Sequence, residues 1–480
     1  MKKIVILLLI YCAFIVSASA QNLSTLSTIT VRIANSGRIM YNNEVKGYYS
    51  LYLLDSTTKE PLKTYLFLIQ DENLRKLDSI EIKQETNIKL QSIVFNGQAF
   101  GFLFSKFESS KTEYWNKYIL LSYDRSLKQI GKIEKKERVY FDKVKLVPIP
   151  NKGFLLYSRI TTNYTNQLHQ QWEYNREYGW ENTFVDSKFL GSLQVQGYEN
   201  TTEKKDTSKF YRNTLIVQDI TTGNMLASVP LWDQSYYMES IKVVYDSLNH
   251  SMDVFGSLYT KTALYAFSQN AGLFHLKIDI SGKILRRDFN LWTTAFQGFF
   301  NEKSKTKQGI NFCFHNILQT KDGTIFLIGE EHHKLFDRLV TYDIVIFELD
   351  STFTLKEIHT FTKTQQREKA TDGLTNSMRH KLQSLSSSKN GYFDYRFSQM
   401  TDKGNGFIAA FHDPIESKDK IQFMILVYTP EKNFSIDRIT IGSSSGIKTF
   451  VEEAKSGYIK ISQYDSKKKK LDMHLAKINI

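Results

Sequence analysis

The sequence predicts an all-β fold, a β-propeller of seven four-stranded blades. Three observations favour this class. Helical periodicity is scarce, short apolar runs alternate with turns rich in Asp, Asn, Ser and Gly, and this strand-turn-strand unit recurs along the chain. Many short strands at such spacing are typical of sandwiches, barrels and propellers. Two stacked β-sandwiches, or a smaller propeller with a separate domain, remain as alternatives.

The clearest unit begins with two predicted strands, Phe312–Leu318 and Thr324–Gly329, which a tight turn at Lys321–Gly323 joins. Two further predicted strands follow, Asp343–Leu349 and Leu355–Phe361. Both pairs of strands are separated by Asp-containing turns, which is the signal of an antiparallel hairpin. Four consecutive antiparallel strands form one blade of a propeller.

The same order recurs in six further units. They cover residues 38–82, 90–133, 144–229, 241–288, 396–441 and 448–480. The last of these units has only three predicted strands. We expect the N-terminal strand 28–33 to pair with it and close the ring, because an open edge strand presents unpaired backbone groups.

Residues 1–20 have the pattern of a secretory signal peptide. Two lysines precede an apolar run from Ile4 to Val16, and Ala18-x-Ala20 is a cleavage site that leaves Gln21 first. We therefore expect an exported protein, periplasmic or extracellular, whose residues 21–480 form a single propeller-like domain. After cleavage we expect no integral membrane segment, because no second apolar stretch approaches the ~20 residues that span a bilayer.

The mature chain would keep Cys313 as its single cysteine, so no intramolecular disulfide is expected. The formal net charge is +13, which suits anionic glycans, lipid headgroups or acidic proteins as partners. The dense run Lys467–Lys470 is interpreted as a solvated turn. We expect a monomer that does not bind nucleic acid, since export is predicted and no nucleic-acid module is recognisable.

The predicted domain carries three insertions, near residues 159–213, 290–310 and 363–394. Turns between the first and second strands of a unit, and between the third and fourth, are short. In antiparallel sheets these turns share one end, so the long links and insertions lie at the other end. Long loops on a rigid scaffold are where binding sites usually lie, which makes this face the predicted binding surface.

Six side chains are candidates for binding. Trp172, Tyr174, Tyr178 and Trp180 lie in one aromatic insertion and suit stacking on sugars or anchoring an interface. Packing of these rings against the blade is an equally good interpretation. The remaining two candidates, Trp292 and His412, fall on the same predicted face.

The sequence contains no recognisable catalytic or metal-binding signature. His332 and His333 are adjacent on a predicted strand, so their side chains point to opposite sides and cannot share a metal. Cys313 lies in an apolar run, which favours a buried, inert thiol. We therefore expect no metal, no cofactor and no catalysis, although the question of an enzyme stays open.

The signal peptide, together with units such as Asn316–Gly329, resembles exported β-propeller-like proteins of Bacteroidota, which commonly have no assigned function. The resemblance implies no catalytic residue. Our main hypothesis is a noncatalytic binding or protein-interaction platform that uses the long-loop face, with a glycan, envelope component or protein as partner. A glycan- or peptide-acting hydrolase or lyase, with loop-borne acids around an axial pocket, is the first alternative. A structural component of the cell envelope is the second.

Overall fold

A computed structural model provides the structure of the chain. It describes residues 31–41, 44–54, 62–109, 114–138, 144–157, 160–175, 180–196, 212–232, 235–260, 270–295, 311–334, 338–370, 393–417 and 419–478. Within this part of the chain, no helix has the length and apolar character needed to cross a membrane.

The described residues form eight antiparallel sheets, numbered here as blades 1 to 8 in chain order. Blades 1 to 4 consist of β1 (Val31–Tyr41), β2 (Glu44–Leu54), β3 (Leu62–Gln70) and β4 (Lys76–Glu85); β5 (Lys89–Phe95), β6 (Ala99–Ser109), β7 (Tyr114–Asp124) and β8 (Gln129–Arg138); β9 (Lys145–Ile149), β10 (Gly153–Tyr157), β11 (Ile160–Thr165) and β12 (Gln170–Asn175); and β13 (Trp180–Val185), β14 (Phe189–Gln196), β15 (Arg212–Asp219) and β16 (Met225–Pro230).

Blades 5 to 8 consist of β17 (Tyr236–Asp246), β18 (Ser251–Thr260), β19 (Asn270–Asp279) and β20 (Ile284–Leu291); β21 (Asn311–Gln319), β22 (Ile325–Lys334), β23 (Arg338–Leu349) and β24 (Leu355–Phe361), with β25 (Arg367–Ala370) added to β23; β26 (Tyr395–Met400), β27 (Phe407–His412), β28 (Lys420–Thr429) and β29 (Asn433–Gly442); and β30 (Ile447–Glu453), β31 (Tyr458–Asp465) and β32 (Lys470–Lys477). Consecutive strands of each blade pair in order.

The first strands of consecutive blades contact one another from β1 through to β30, and β1 also contacts β32 of the last blade. The first strands therefore surround a common axis, and the molecule is a β-propeller. The predicted all-β propeller class is confirmed. The predicted count of seven blades is wrong, because the ring contains eight.

The miscount arose at residues 159–213, which we expected to be an insertion. The segment contains β11 to β14, which complete blade 3 and begin blade 4. The strand β11 did not show the apolar signal, because Thr161, Thr162 and Asn163 are polar and yet buried. Asn163 Nδ2 donates to the carbonyl of Ile220 at 2.8 Å, so the blade interior satisfies the amide that made the segment resemble a loop.

The closing strand was also placed wrongly. Residues 31–33 begin β1, which pairs with β2 as the first strand of blade 1, while residues 28–30 lie outside the described part of the chain. Among the described residues, blade 8 has three strands. Packing joins it to blade 1, where the backbone N–H of Lys455 donates to Tyr48 Oη at 3.2 Å.

Aromatic side chains fill the spaces between blades. Phe67 of blade 1 meets Phe102 of blade 2 edge to face, with ring centroids 4.8 Å apart and planes at 83°. Middle strands such as β10 are buried at every position, because both of their faces pack against neighbouring blades. Large aromatic areas of this kind supply much of the apolar burial that holds a fold together.

The connections divide the propeller into two ends. Turns after first and third strands are short, and they define what we term the short-turn end. The longest connections, residues 197–211, 292–310 and 362–394, follow second or fourth strands and therefore start from the opposite end, the long-link end. Much of these connections lies outside the described residues: residues 197–211, 296–310 and 371–392. The predicted insertions 290–310 and 363–394 are therefore described only in part.

Candidate functional site

A cavity of about 310 Å³ lies where the last blade meets the first. It is termed the axial cleft, and the side chains that line it come from β1, β2, β30 and β31: Gly37, Arg38, Met40, Tyr49, Glu452, Glu453 and Lys460. This volume is at the lower end of the ~300–1,000 Å³ range of ligand pockets. Glu453 immediately precedes the turn 454–457, so the cleft lies towards the short-turn end.

One ion pair in the cleft joins the first and last blades. Arg38 Nη1 lies 2.5 Å from Glu453 Oε2, with the side chains 39% and 15% exposed respectively. Burial raises the pKa of Glu453 above its usual value, and the charge of Arg38 only partly offsets that rise. Each partner comes from the first strand of its blade, so the pair lies beside the propeller axis.

A second ion pair lies next to the first along the chain. Lys460 Nζ is 2.8 Å from Glu452 Oε2, and here the lysine side chain is 1% exposed whereas the glutamate is 35% exposed. The same ammonium group lies 5.1 Å from the centre of the Tyr48 ring, an arrangement that favours a cation over an aromatic face. The ammonium of Lys460 is thus held inside the protein, and the carboxylate of Glu452 is presented to the cleft.

Tyr49 forms an aromatic wall of the cleft. Its hydroxyl donates to Asn35 Oδ1 at 3.3 Å, and burial raises the pKa of Tyr49 to about 12, so the phenol is neutral. Gly37 is the cross-strand partner of Tyr49. A Cβ at Gly37 would lie 2.6 Å from Tyr49 Oη, which is too close for real atoms. Glycine is therefore required for the ring to lie against β1.

Blades 5, 6 and 7 contribute a polar chain on the axis. Lys242 Nζ donates to Asn316 Oδ1 at 3.0 Å and to the carbonyl of Ile317 at 2.6 Å. Asn316 Nδ2 donates to Ser398 Oγ at 2.8 Å, and that hydroxyl lies 2.9 Å from Tyr395 Oη. Burial lowers the pKa of Lys242 to about 8, and the negative charge of Glu453 opposes the shift. Residues of non-neighbouring blades thus act on one another through the axis.

Irregular strand pairing positions these side chains. The register of β17 shifts between Ser240 and Lys242, and that of β21 shifts between Phe314 and Asn316. A bulge of this kind leaves one residue unpaired and redirects the side chains beside it. The axial polar groups therefore depend on local departures from regular pairing, which a strand pattern in sequence does not reveal.

A second charged group, termed the buried ion cluster, lies at the long-link end between blades 6 and 7. Lys363 Nζ is 2.5 Å from Glu330 Oε1 and 2.9 Å from Asp394 Oδ2. Arg367 Nη1 lies 2.6 Å from Asp394 Oδ1, and His412 Nδ1 lies 3.5 Å from the same oxygen. The carboxylates of Glu330 and Asp394 are fully buried, so each depends on these cations.

The cluster is stable in its ionised form. Burial on its own would raise the pKa of Asp394, but His412 and Lys363 outweigh it and hold that pKa well below the usual range. Burial acts the same way on Glu330, and Lys363 with His315 again outweighs it, so the pKa of Glu330 is also lowered. Lys363 has a raised pKa because its two carboxylates outweigh its burial. The cluster thereby fastens the start of the connection 362–394 to β22 and β26.

The aromatic candidates are not brought together. Trp172 is buried, its indole N–H donates to the carbonyl of Ile220 at 2.9 Å, and its ring packs against Gly223. Of the two interpretations given above, packing of the ring against the blade is the one that the structure shows for Trp172. A buried ring of this kind has no free face for stacking on a ligand. Tyr174 is half-buried and packs on the same apolar cluster.

The other candidates are dispersed. Tyr178 and the side chain of Trp180 lie outside the described residues, although the backbone of Trp180 begins β13. Trp292 follows β20 and packs edge to face on Phe347, with centroids 5.9 Å apart. His412, at the end of β27, is 23% exposed and belongs to the buried ion cluster. Their part in binding stays a prediction.

One described trio has the composition of a metal site. His359 Nε2 lies 3.0 Å from Glu348 Oε2, and His359 Nδ1 lies 3.7 Å from Glu357 Oε1. Both ring nitrogens thus face a carboxylate, and the trio is accounted for as a histidine between two acids. Of the adjacent histidines considered in sequence, His332 is buried on β22, and the side chain of His333 lies outside the described residues.

Sequence reasoning did not find Arg38, Glu453 or Lys242. The first two lie near opposite ends of the chain, and no spacing rule links them. Glu452 and Glu453 were visible as adjacent acids at the end of a predicted strand, which is a weak signal for a site.

Solved structures with a similar fold have low identity to this chain. Prolyl oligopeptidase B from Galerina marginata is 10% identical with a TM-score of 0.43, and the match covers 93% of this chain but only 58% of that one. BamB from Moraxella catarrhalis is 7% identical with a TM-score of 0.38, over 93% of this chain and 99% of BamB. The β-propeller domain of the trilobed protease from Pyrococcus furiosus is 7% identical with a TM-score of 0.35, over 86% and 95% of the two chains. These similarities carry no information about function.

No curated protein matches the chain. The profile of DUF6770, a family of unknown function, matches residues 1–339 and 335–479. The matched segments include every strand of all eight blades. The chain therefore belongs to DUF6770, a family of unknown function.

Proposed function

We propose that the protein is an exported, noncatalytic binding platform and that its ligand enters the axial cleft, which lies towards the short-turn end and not on the long-loop face that the sequence predicts as the binding surface. The observation that carries this proposal is the cleft itself, which combines two ion pairs and an aromatic wall beside the axis. A concave site with a few convergent polar groups and a shifted pKa is the usual form of a ligand site.

The chemistry of the described side chains favours binding over turnover. Each carboxylate of the cleft already has a cationic partner. Burial raises the pKa of Tyr49 to about 12 and also raises the pKa of the Cys313 thiol, so neither group is an activated nucleophile. The cleft therefore offers charge and hydrogen bonds, and its phenol at Tyr49 does not supply a nucleophile.

The ligand-screening experiment compares the wild type with Arg38→Gln. Thermal unfolding is followed with glycans, short peptides, amino acids and lipid headgroups, because a ligand that binds the native state raises Tm. We expect one class to raise the Tm of the wild type and to lose that effect in the variant. Equal stabilisation of both proteins, or no stabilisation by any class, would overturn the proposal for the cleft.

Export is part of the proposal and has its own test. The signal-peptide pattern supports cleavage after Ala20. Expression of the full chain in a Gram-negative host, followed by N-terminal sequencing of the periplasmic or extracellular protein, should give Gln21 as the first residue. An intact N-terminus on protein retained in the cytoplasm would contradict it.

A second candidate is a hydrolase or lyase, and the raised pKa of Glu453 is the observation that favours it. A carboxyl with a raised pKa beside a second carboxylate, Glu452, resembles an acid/base pair. Chromatography of each stabilising ligand after prolonged incubation distinguishes the two candidates. Products that form with the wild type and not with Glu453→Gln would establish the enzyme, and recovery of intact ligand supports the platform.

A further inference from the structure

We propose that the axial cleft recognises a zwitterion, a ligand that carries an ammonium and a carboxylate, such as an amino acid or a short peptide. This inference rests on the proposed binding function and deepens it by naming the ligand class. It comes from an asymmetry between the two ion pairs of the cleft.

In each pair, one partner is withdrawn and the other is presented. Arg38 is 39% exposed while Glu453 is 15% exposed, so the accessible member of the first pair is a cation. Glu452 is 35% exposed while Lys460 is 1% exposed, so the accessible member of the second pair is an anion. A ligand that enters the cleft therefore meets one positive and one negative group.

The accessible groups retain the capacity to bind a ligand. A guanidinium has five N–H donors, and Arg38 uses Nη1 towards Glu453. Among the described residues, no other partner of Arg38 is found, so its remaining donors match the two oxygens of a carboxylate. The carboxylate of Glu452 has several lone-pair directions and can accept from an ammonium in addition to Lys460.

The same asymmetry discriminates against ligands of a single charge. A purely anionic ligand in this small cleft would bring a second negative charge next to Glu452. A purely cationic ligand would bring a second positive charge next to Arg38. Because like-charge contacts cost affinity, selectivity for a zwitterion follows. Tyr49 and Met40 supply the uncharged wall for the body of the ligand.

The experiment uses isothermal titration calorimetry with alanyl-alanine, its N-acetyl derivative and its C-terminal amide. We expect each blocked derivative to bind the wild type at least tenfold more weakly than the free dipeptide. Arg38→Gln should abolish the discrimination against the amide, and Glu452→Gln should abolish the discrimination against the N-acetyl derivative. Arg75→Gln, in an exposed turn of blade 1, is the matched control and should retain both preferences.

Three outcomes overturn the inference: no binding of the free dipeptide, equal binding of blocked and free forms, or loss of both preferences in each variant. If Arg38→Gln fails to fold, Arg38→Lys keeps the charge, and Glu452→Gln tests the other half independently. A nonzwitterionic compound that requires Arg38 would overturn the ligand class while leaving the binding platform in place. A cleft that binds neither these dipeptides nor any glycan, peptide, amino acid or lipid headgroup of the thermal screen overturns both.

Discussion

The carboxylate of Glu453 in blade 8 acts on the ammonium group of Lys242 in blade 5 through the propeller axis. Burial lowers the pKa of Lys242 to about 8, and the negative charge of Glu453 works against that shift. The two residues belong to blades that are not neighbours, so the interaction is a property of the closed ring and not of a local strand pair.

Removal of the Glu453 charge should lower the pKa of Lys242 further. In Glu453→Gln the burial of Lys242 remains, while the opposing charge is lost. The midpoint is measured by NMR titration of the lysine side-chain carbon next to the amine. Glu357→Gln, on the outer strand of blade 6, is the control and should leave the midpoint unchanged. An unchanged or higher midpoint in Glu453→Gln would show that the two residues do not face the same space.

Loss of Lys363 should destabilise the fold strongly. Lys363→Met leaves the fully buried carboxylates of Glu330 and Asp394 without their shared cation, and breaking a buried pair in this way costs about 3–5 kcal/mol. Urea unfolding measures the change. Lys356→Met removes an exposed lysine from the same blade and should cost less than about 0.5 kcal/mol. A loss below about 1 kcal/mol for Lys363→Met would contradict a buried ion cluster.

The same cluster predicts a loss of stability in acid. The pKa of Asp394 lies below its usual 3.8 and that of Glu330 below its usual 4.5, so the unfolded chain binds protons more readily than the folded one. Their contribution is complete above about pH 5 and declines as the pH falls through the unfolded values towards the folded ones. Urea unfolding between pH 7 and pH 3 should show a shallower decline for Asp394→Asn than for the wild type. Parallel declines would be evidence against the ionised cluster.

Substitution of Gly37 tests the wall of the cleft. Gly37→Ala places a Cβ against the ring of Tyr49, and overpacking of this kind typically lowers the free energy of unfolding by about 1–3 kcal/mol. Gly442→Ala, at a position with open space around the added Cβ, is the matched control and should be close to neutral. Thermal unfolding compares the two variants. A neutral Gly37→Ala would mean that Tyr49 moves freely and does not define the cleft.

The sequence was sufficient for the propeller class and for most blades. The four main strands of blade 6 were predicted, because each contains several apolar residues and Asp322 with Gly323 marks the hairpin, whereas β25 was not predicted because it lies in the expected insertion 363–394. Blades 3 and 4 were merged, because β11 buries Thr161 and Thr162 where apolar residues were expected. Burial of polar side chains between blades removes the alternation on which strand prediction depends.

The site was harder to predict than the fold. Trp172 was predicted as a binding candidate with packing against the blade as an equally good interpretation, and its indole N–H donates to the carbonyl of Ile220 inside the blade. Arg38 and Glu453 are ordinary charged residues in strands, and their meaning comes only from closure of the ring. Sequence identifies unusual residue types, whereas this cleft is made of common residues that the fold brings together.

Methionine-methyl NMR gives the most direct test of the axial cleft as the binding site. Met40 lines the cleft, while Met225 is 55% exposed at the start of β16 in blade 4 and reports non-specific contact. The protein, labelled at its methionine methyl carbons, is titrated with alanyl-alanine and with each compound that raises its Tm. The predicted result is a saturable shift of the Met40 resonance without a shift of Met225. Binding that leaves Met40 unchanged would contradict the assignment of the cleft.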